Sequence, residues 1–203
     1  MIISMSDILC VTNRILCKEN FLQRVEEIAA SKPKGMILRE KDLSEKEYKE
    51  LAEKVLVICK TYDVPCMLHS FIDVAMELGA ENIHLPLHIL RKVDEKTKET
   101  FKIIGASCHS VEEAIEAERL GCTYITAGHV FVTDCKKGLA PRGLEFLREV
   151  CESVSVPVYA IGGISSENIE LVRKTGAAGA CVMSGLMICE NVKETMKGFE
   201  IKV

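Results

Sequence analysis

Short, unbroken apolar runs alternate along this chain with longer stretches in which apolar residues recur every three or four positions. Ile8-Leu9-Cys10-Val11-Thr12 reads as a buried strand, and Phe21, Leu22, Val25, Ile28 and Ala29 share one helical face before Lys32-Pro33-Lys34-Gly35 ends it. The same alternation continues. Strands are predicted at 36–38, 65–69, 82–85, 102–107, 124–126, 157–161 and 179–183. Helices are predicted at 44–58, 71–78, 91–100, from 110, from 144 to about 154, at 165–174, and from 184 to about 199, the one at 91–100 being poorly defined. Ser44-Glu45-Lys46-Glu47 and Ser110-Val111-Glu112-Glu113 both have the form of a capping box. Gly79, Gly121 and Gly176 close three of the helices just before the next strand.

Eight strand–helix units result. Continuous apolar strands joined by amphipathic helices imply a parallel sheet whose outer face is covered. Eight units favour closure into an α/β TIM (β/α)8 barrel over an open doubly wound sheet. No G-x-G-x-x-G follows the first strand and no G-x-x-x-x-G-K-[ST] occurs, which argues against a nucleotide-binding open sheet.

At 203 residues a barrel uses nearly all of the chain, so a single domain over 1–203 is expected. A net charge of −4, without a basic stripe, gives no reason to expect nucleic acid. The ten cysteines have no C-x-x-C spacing, and most lie in apolar runs, so they read as reduced core residues; Cys135, in a polar loop, is the expected exception. The first six residues are too short for a secretory signal and no apolar run approaches a membrane span, so a cytoplasmic protein is expected, with no membrane partner.

In a closed barrel the residues just after each strand share one rim, where the chemistry of such folds sits. Those residues include Arg39, Lys41, Ser107, His109, His129, Thr133, Lys136, Gly162, Gly163, Met183, Ser184 and Gly185. Glycines ahead of the last two helices, Gly162-Gly163 and the Met183-Ser184-Gly185 turn, suggest backbone N–H groups that cradle phosphate. Either turn alone is as well explained by tight chain reversal. Arg39, Lys41 and Lys136, each an ordinary surface cation when taken singly, together suit a substrate with several negative groups. The long loop from Gly128 to Gly143 carries His129 at its mouth. A lone histidine is more often structural than catalytic, but at this rim an imidazole is suited to moving a proton near neutral pH. The rim offers no pair of carboxylates for a divalent metal, and no cofactor is expected.

Leu38-Arg39-Glu40-Lys41, Gly105-Ala106-Ser107-Cys108-His109-Ser110, Gly128-His129-Val130-Phe131, Ala160-Ile161-Gly162-Gly163-Ile164 and Val182-Met183-Ser184-Gly185 resemble, in order and spacing, the thiamine-phosphate synthase superfamily. The resemblance implies a TIM barrel and a phosphorylated thiazole as small-molecule substrate; a homodimer is suggested by it alone. One branch joins a pyrimidine pyrophosphate to a thiazole phosphate with Mg²⁺ held by aspartates. The other, the thiazole tautomerases, moves a proton to aromatise the thiazole phosphate carboxylate without metal. Where the synthase pattern has Asn-Asp-Arg this chain has His69-Ser70-Phe71, and where it has Gly-Gln-x-Asp this chain has Pro86-Leu87-His88-Ile89. The stretch from Gly128 through Thr133-Asp134-Cys135-Lys136-Lys137-Gly138 is similar to the tautomerase loop. The resemblance therefore implies His129 as the proton shuttle of an isomerase. It places the phosphate on Gly162, Gly163, Ser184 and Gly185, and Ser107 and His109 along the thiazole. The alternatives are thiamine-phosphate synthase itself and a non-catalytic regulator that binds a phosphorylated metabolite.

Overall fold

The computed structural model describes residues 7–133, 136 and 138–200. Its eight strands are β1 (Ile8–Val11), β2 (Gly35–Leu38), β3 (Cys66–His69), β4 (Asn82–Pro86), β5 (Ile103–Cys108), β6 (Tyr124–Gly128), β7 (Val158–Ile161) and β8 (Gly179–Val182). They follow one another in sequence order as a closed parallel barrel, the TIM-barrel α/β fold. Register follows the apolar runs: Cys10 pairs with Met36, Met36 with Cys66, Ile125 with Val158 and Ala160 with Ala180.

Two compact units divide the chain, residues 1–83 with 182–203, and residues 84–181. The first contains α1 (Phe21–Ala30), α2 (Glu45–Thr61), α3 (Ile72–Glu77), α9 (Ser184–Met187) and α10 (Val192–Lys197). The second contains α4 (Leu87–Leu90), α5 (Glu95–Lys98), α6 (Val111–Arg119), α7 (Gly143–Ser153) and α8 (Ile169–Arg173). Val25, Ile28, Val55, Met36 and Leu68 are fully buried in the first unit, as are Ala114, Ile125, Leu147 and Val172 in the second. In α2 the expected capping box is complete: Ser44 accepts from the Glu47 N–H and the Glu47 carboxylate accepts from the Ser44 N–H. In α6 only half of it forms. Ser110 accepts from the Glu113 N–H at 3.2 Å, but the Glu113 carboxylate accepts the His109 N–H at 2.6 Å.

The helices after β7 and β8 are shorter than the sequence predicts. Residues 165–168 form a turn, held by the Asn168 side chain, which accepts from the Ser165 N–H and donates to the Gly163 carbonyl. The stretch 184–199 splits into α9, a single turn, and α10, which starts at its own cap, Asn191. Nine cysteines are described and all are free thiols, six of them buried; Cys135 lies outside the described residues. Among the described residues no helix is long and apolar enough to cross a membrane.

Candidate functional site

In the first unit the loops after β1 and β2 are fastened to one buried carboxylate. Glu40 is 2% exposed and accepts from the Thr12 hydroxyl at 2.7 Å and from the Arg14 N–H through both oxygens, at 3.1 and 3.0 Å. Thr12 in turn accepts the Arg39 N–H at 2.9 Å. Burial pushes the Glu40 carboxyl above its ordinary range, against the downward pull of the Thr12 and Arg14 donors. The Arg14 guanidinium pairs with Asp42 at 2.6 Å. This scaffold fixes the backbone on both sides of Arg39, which is half-buried, and precedes Lys41, which is exposed. In the sequence Glu40 stands out only as a lone carboxylate; its role is to hold two loops together.

Between β2 and β3, the buried Tyr48 hydroxyl donates to the Leu38 carbonyl at 2.7 Å and accepts the His69 N–H at 2.8 Å. His69 is itself buried, and its Nδ1 meets the Ser70 hydroxyl at 2.7 Å. After β8, Met183 is half-buried, Ser184 exposed and Gly185 half-buried, and the Met183 carbonyl accepts from Leu186 and Met187 to close the single turn of α9. One turn has too few aligned peptides for an appreciable helix dipole, so anion binding at Ser184 and Gly185 would rest on individual N–H and hydroxyl groups.

In the second unit the loop after β6 lies directly on the Gly162-Gly163 turn. The Val130 and Phe131 N–H groups donate to the Ile161 and Gly162 carbonyls at 2.9 and 3.0 Å. A Cβ on Gly162, whose φ is +99°, would come within 2.4 Å of the His129 Cβ, and one on Gly163 within 2.4 Å of the Val132 carbonyl oxygen. The glycines are thus required by close backbone approach, whatever ligand they face. His129 is 7% exposed, and its Nε2 lies 3.4 Å from the Leu139 carbonyl oxygen. The ring is largely covered. Thr133 is half-buried, its carbonyl accepting the Lys136 N–H at 3.1 Å, and Lys136 is exposed. Asp134, Cys135 and Lys137 lie outside the described residues.

Ser107 and His109 leave the end of β5 half-buried. Burial lowers the His109 pKa, and the Lys136 charge lowers it further, against the raising effect of Glu113. Ser107 has a partner that sequence reading does not find. The Nε2 of His84 on β4 lies 2.8 Å from its Oγ, and the Nδ1 of His84 lies 2.8 Å from the Tyr124 hydroxyl. The only sequence signals are a histidine in an apolar strand and a glycine, Gly105, in mid-strand.

The aspartates that hold Mg²⁺ in the synthase pattern have no counterparts here that fit the metal. The His69 ring is buried beside Ser70, the Glu40 oxygens are engaged by Thr12 and Arg14, and Asp42 pairs with Arg14. Among the described residues no group of three or more His, Cys, Asp or Glu could hold a metal ion.

Residues 8–186 match the family described as thiamine monophosphate synthase. The thiamine-phosphate synthase of Clostridium tetani is 34% identical over 198 residues, covering 93% of each chain. That of Clostridium acetobutylicum is 37% identical over 190 residues, covering 91% of this chain and 88% of its own. Among solved structures, the thiamine phosphate pyrophosphorylase of Pyrococcus furiosus superposes with a TM-score of 0.81 at 31% identity, covering 97% of this chain and 94% of that one. These relatives are named for a transferase, which corrects the expectation of an isomerase, the thiazole tautomerase, drawn from the departures at 69–71 and 86–89 and from the His129 loop. Local features at a few positions are outweighed by likeness along the whole chain, and by that likeness this protein belongs to the thiamine monophosphate synthase family.

Proposed function

We propose that the protein is a thiamine-phosphate synthase, a transferase that joins a pyrimidine pyrophosphate to a thiazole phosphate. The observation that carries this reading is the end-to-end similarity to relatives of that name, 93% of both chains in the Clostridium tetani pair. In the reaction the thiazole ring nitrogen forms a C–N bond to the pyrimidine methylene carbon, and the C–O bond to pyrophosphate breaks. No step is assigned to a metal, because the donors among the described residues do not fit one.

Every candidate residue except His129 receives a binding role. Arg39 and Lys41, on the loop fixed by Glu40, attract phosphate oxygens in the first unit, where Met183, Ser184 and Gly185 offer backbone and hydroxyl donors. In the second unit, Gly162 and Gly163 present backbone to a phosphate, and Lys136 adds charge. His109 and Thr133 line the heterocycle, and the Ser107 hydroxyl meets a phosphate oxygen at its edge. His129, with its ring covered and Nε2 beside the Leu139 carbonyl, organises the loop after β6.

Incubation with pyrimidine pyrophosphate, thiazole phosphate and Mg²⁺ tests the proposal. Thiamine phosphate and pyrophosphate should appear in equal amounts at an enzymic rate; their absence overturns it. The misfit at the metal positions favours one second reading, a non-catalytic protein that binds a phosphorylated metabolite. Saturable binding of thiazole phosphate with no turnover would select that reading.

A further inference from the structure

Inside the second unit a buried imidazole spans two hydroxyls. His84 is 2% exposed, with the Tyr124 hydroxyl of β6 at its Nδ1 and the Ser107 hydroxyl of β5 at its Nε2, each at 2.8 Å. Room for this arrangement comes from Gly105, where a Cβ would fall 2.3 Å from His84 Nδ1 and 2.2 Å from the Tyr124 ring. Tyr124 and Tyr159 form a T-shaped pair, with ring centroids 5.8 Å apart at 87°. Three strands and a glycine hollow therefore hold one ring in place.

A neutral imidazole has one N–H and one lone pair, so its tautomer sets the direction of both hydroxyls. With the proton on Nδ1, Ser107 must donate inward to Nε2 and can offer only lone pairs outward. With the proton on Nε2, Tyr124 donates to Nδ1, His84 donates to Ser107, and the serine hydrogen is released to point outward. The Thr126 hydroxyl lies 3.4 Å from Ser107 Oγ and 3.5 Å from the Ala106 carbonyl oxygen, and its one hydrogen fits either arrangement; the Tyr124 phenol, a better hydrogen-bond donor than acceptor, favours the second. Ser107 is half-buried at the end of its strand, and a phosphorylated substrate presents acceptors. We infer that His84 is a positioning residue, held by Tyr124 in the Nε2–H tautomer, that makes Ser107 a dedicated hydrogen-bond donor to an anionic oxygen of the substrate. The part concerning substrate rests on the transferase reading; the tautomer does not.

Two measurements test it. The first is ¹⁵N NMR of the histidine rings in the unliganded protein, assigned with His84→Gln. The His84 Nε2 should be of the protonated type and Nδ1 of the bare type, and Tyr124→Phe should redistribute the proton; a wild-type ring protonated on Nδ1 overturns the inference. The second is a double-mutant cycle on thiamine phosphate formation. Ser107→Ala and His84→Gln should each lower kcat about tenfold to a hundredfold with KM little changed, and the double variant should match Ser107→Ala alone. Additive losses overturn the inference, because His84 would then act independently of Ser107. If the wild type makes no thiamine phosphate, the transferase reading fails while the NMR measurement still decides the tautomer.

Discussion

The Thr12 hydroxyl donates to the Glu40 carboxylate 2.7 Å away, and the same threonine oxygen accepts the Arg39 N–H. One buried acid thereby ties the loop after β1 to the loop that carries two cations. Glu40→Gln replaces an acceptor by an amide whose NH₂ faces donors already present. It should cost about 1–3 kcal/mol, the usual penalty for an unsatisfied buried polar group, in urea unfolding. Thr12→Val should cost a similar amount, and the double variant less than the sum.

Substitution at Gly162 separates two effects of a side chain in the left-handed region. Gly79 has φ +61° and nothing within 4 Å of the place a Cβ would take, whereas a Cβ on Gly162 would meet His129 at 2.4 Å. Gly79→Ala should cost about 1 kcal/mol from backbone conformation alone, and Gly162→Ala at least about 1–3 kcal/mol more from overpacking. Equal losses in chemical denaturation would refute the close-approach explanation.

His109 should make stability depend on acidity in a defined direction. Burial and Lys136 lower its folded pKa below the ordinary 6.5, so the folded state binds the proton more weakly than the unfolded chain does. The stability it contributes is present above pH 6.5 and is lost as pH falls through the lowered value. The urea midpoint of the wild type should therefore drop, relative to His109→Gln, between pH 7 and pH 5. The ring protons of His109 should titrate below 6.5 by NMR; titration at or above that value contradicts the assignment.

Arg24, on α1, is a buried cation whose removal should be costly. Its side chain is 2% exposed and pairs with Glu19 and Glu27, while Nη2 donates to the Cys189 carbonyl at 2.7 Å. Arg24→Met keeps much of the packing stem and leaves that carbonyl without this donor, an expected loss of about 1–3 kcal/mol. Arg24→Ala also loses the buried stem and should be worse, at about 2–5 kcal/mol. Thermal or urea unfolding checks both.

The strands and the α2 capping box are legible in the sequence because they depend on periodicity and on residues three apart. The sequence reading overextends the helices after β7 and β8: Ser165 looks like a helix start but opens the turn at 165–168, and apolar spacing runs on across the break before Asn191. The Gly162-Gly163 pair is recognisable as a turn, but its contact with His129 and Val132 depends on the neighbouring strand. His84 escapes sequence reading for the same reason: its partners, Ser107 and Tyr124, come from two other strands, and only their register brings them to one ring. The family is evident in the order of motifs. The isomerase assignment relies on departures at two short motifs, 69–71 and 86–89, and on the His129 loop, and whole-chain similarity points instead to a transferase.

Tyr48 has a consequence for how this chain can vary. Its phenol acts as an extra rung where β2 and β3 stop pairing, capping the Leu38 carbonyl and the His69 amide together. With those strand ends sealed by a helix side chain, the segments that follow are released from keeping the sheet intact. Insertions or exchanges after Leu38 and His69 can then alter what the protein recognises without fraying the wall beneath.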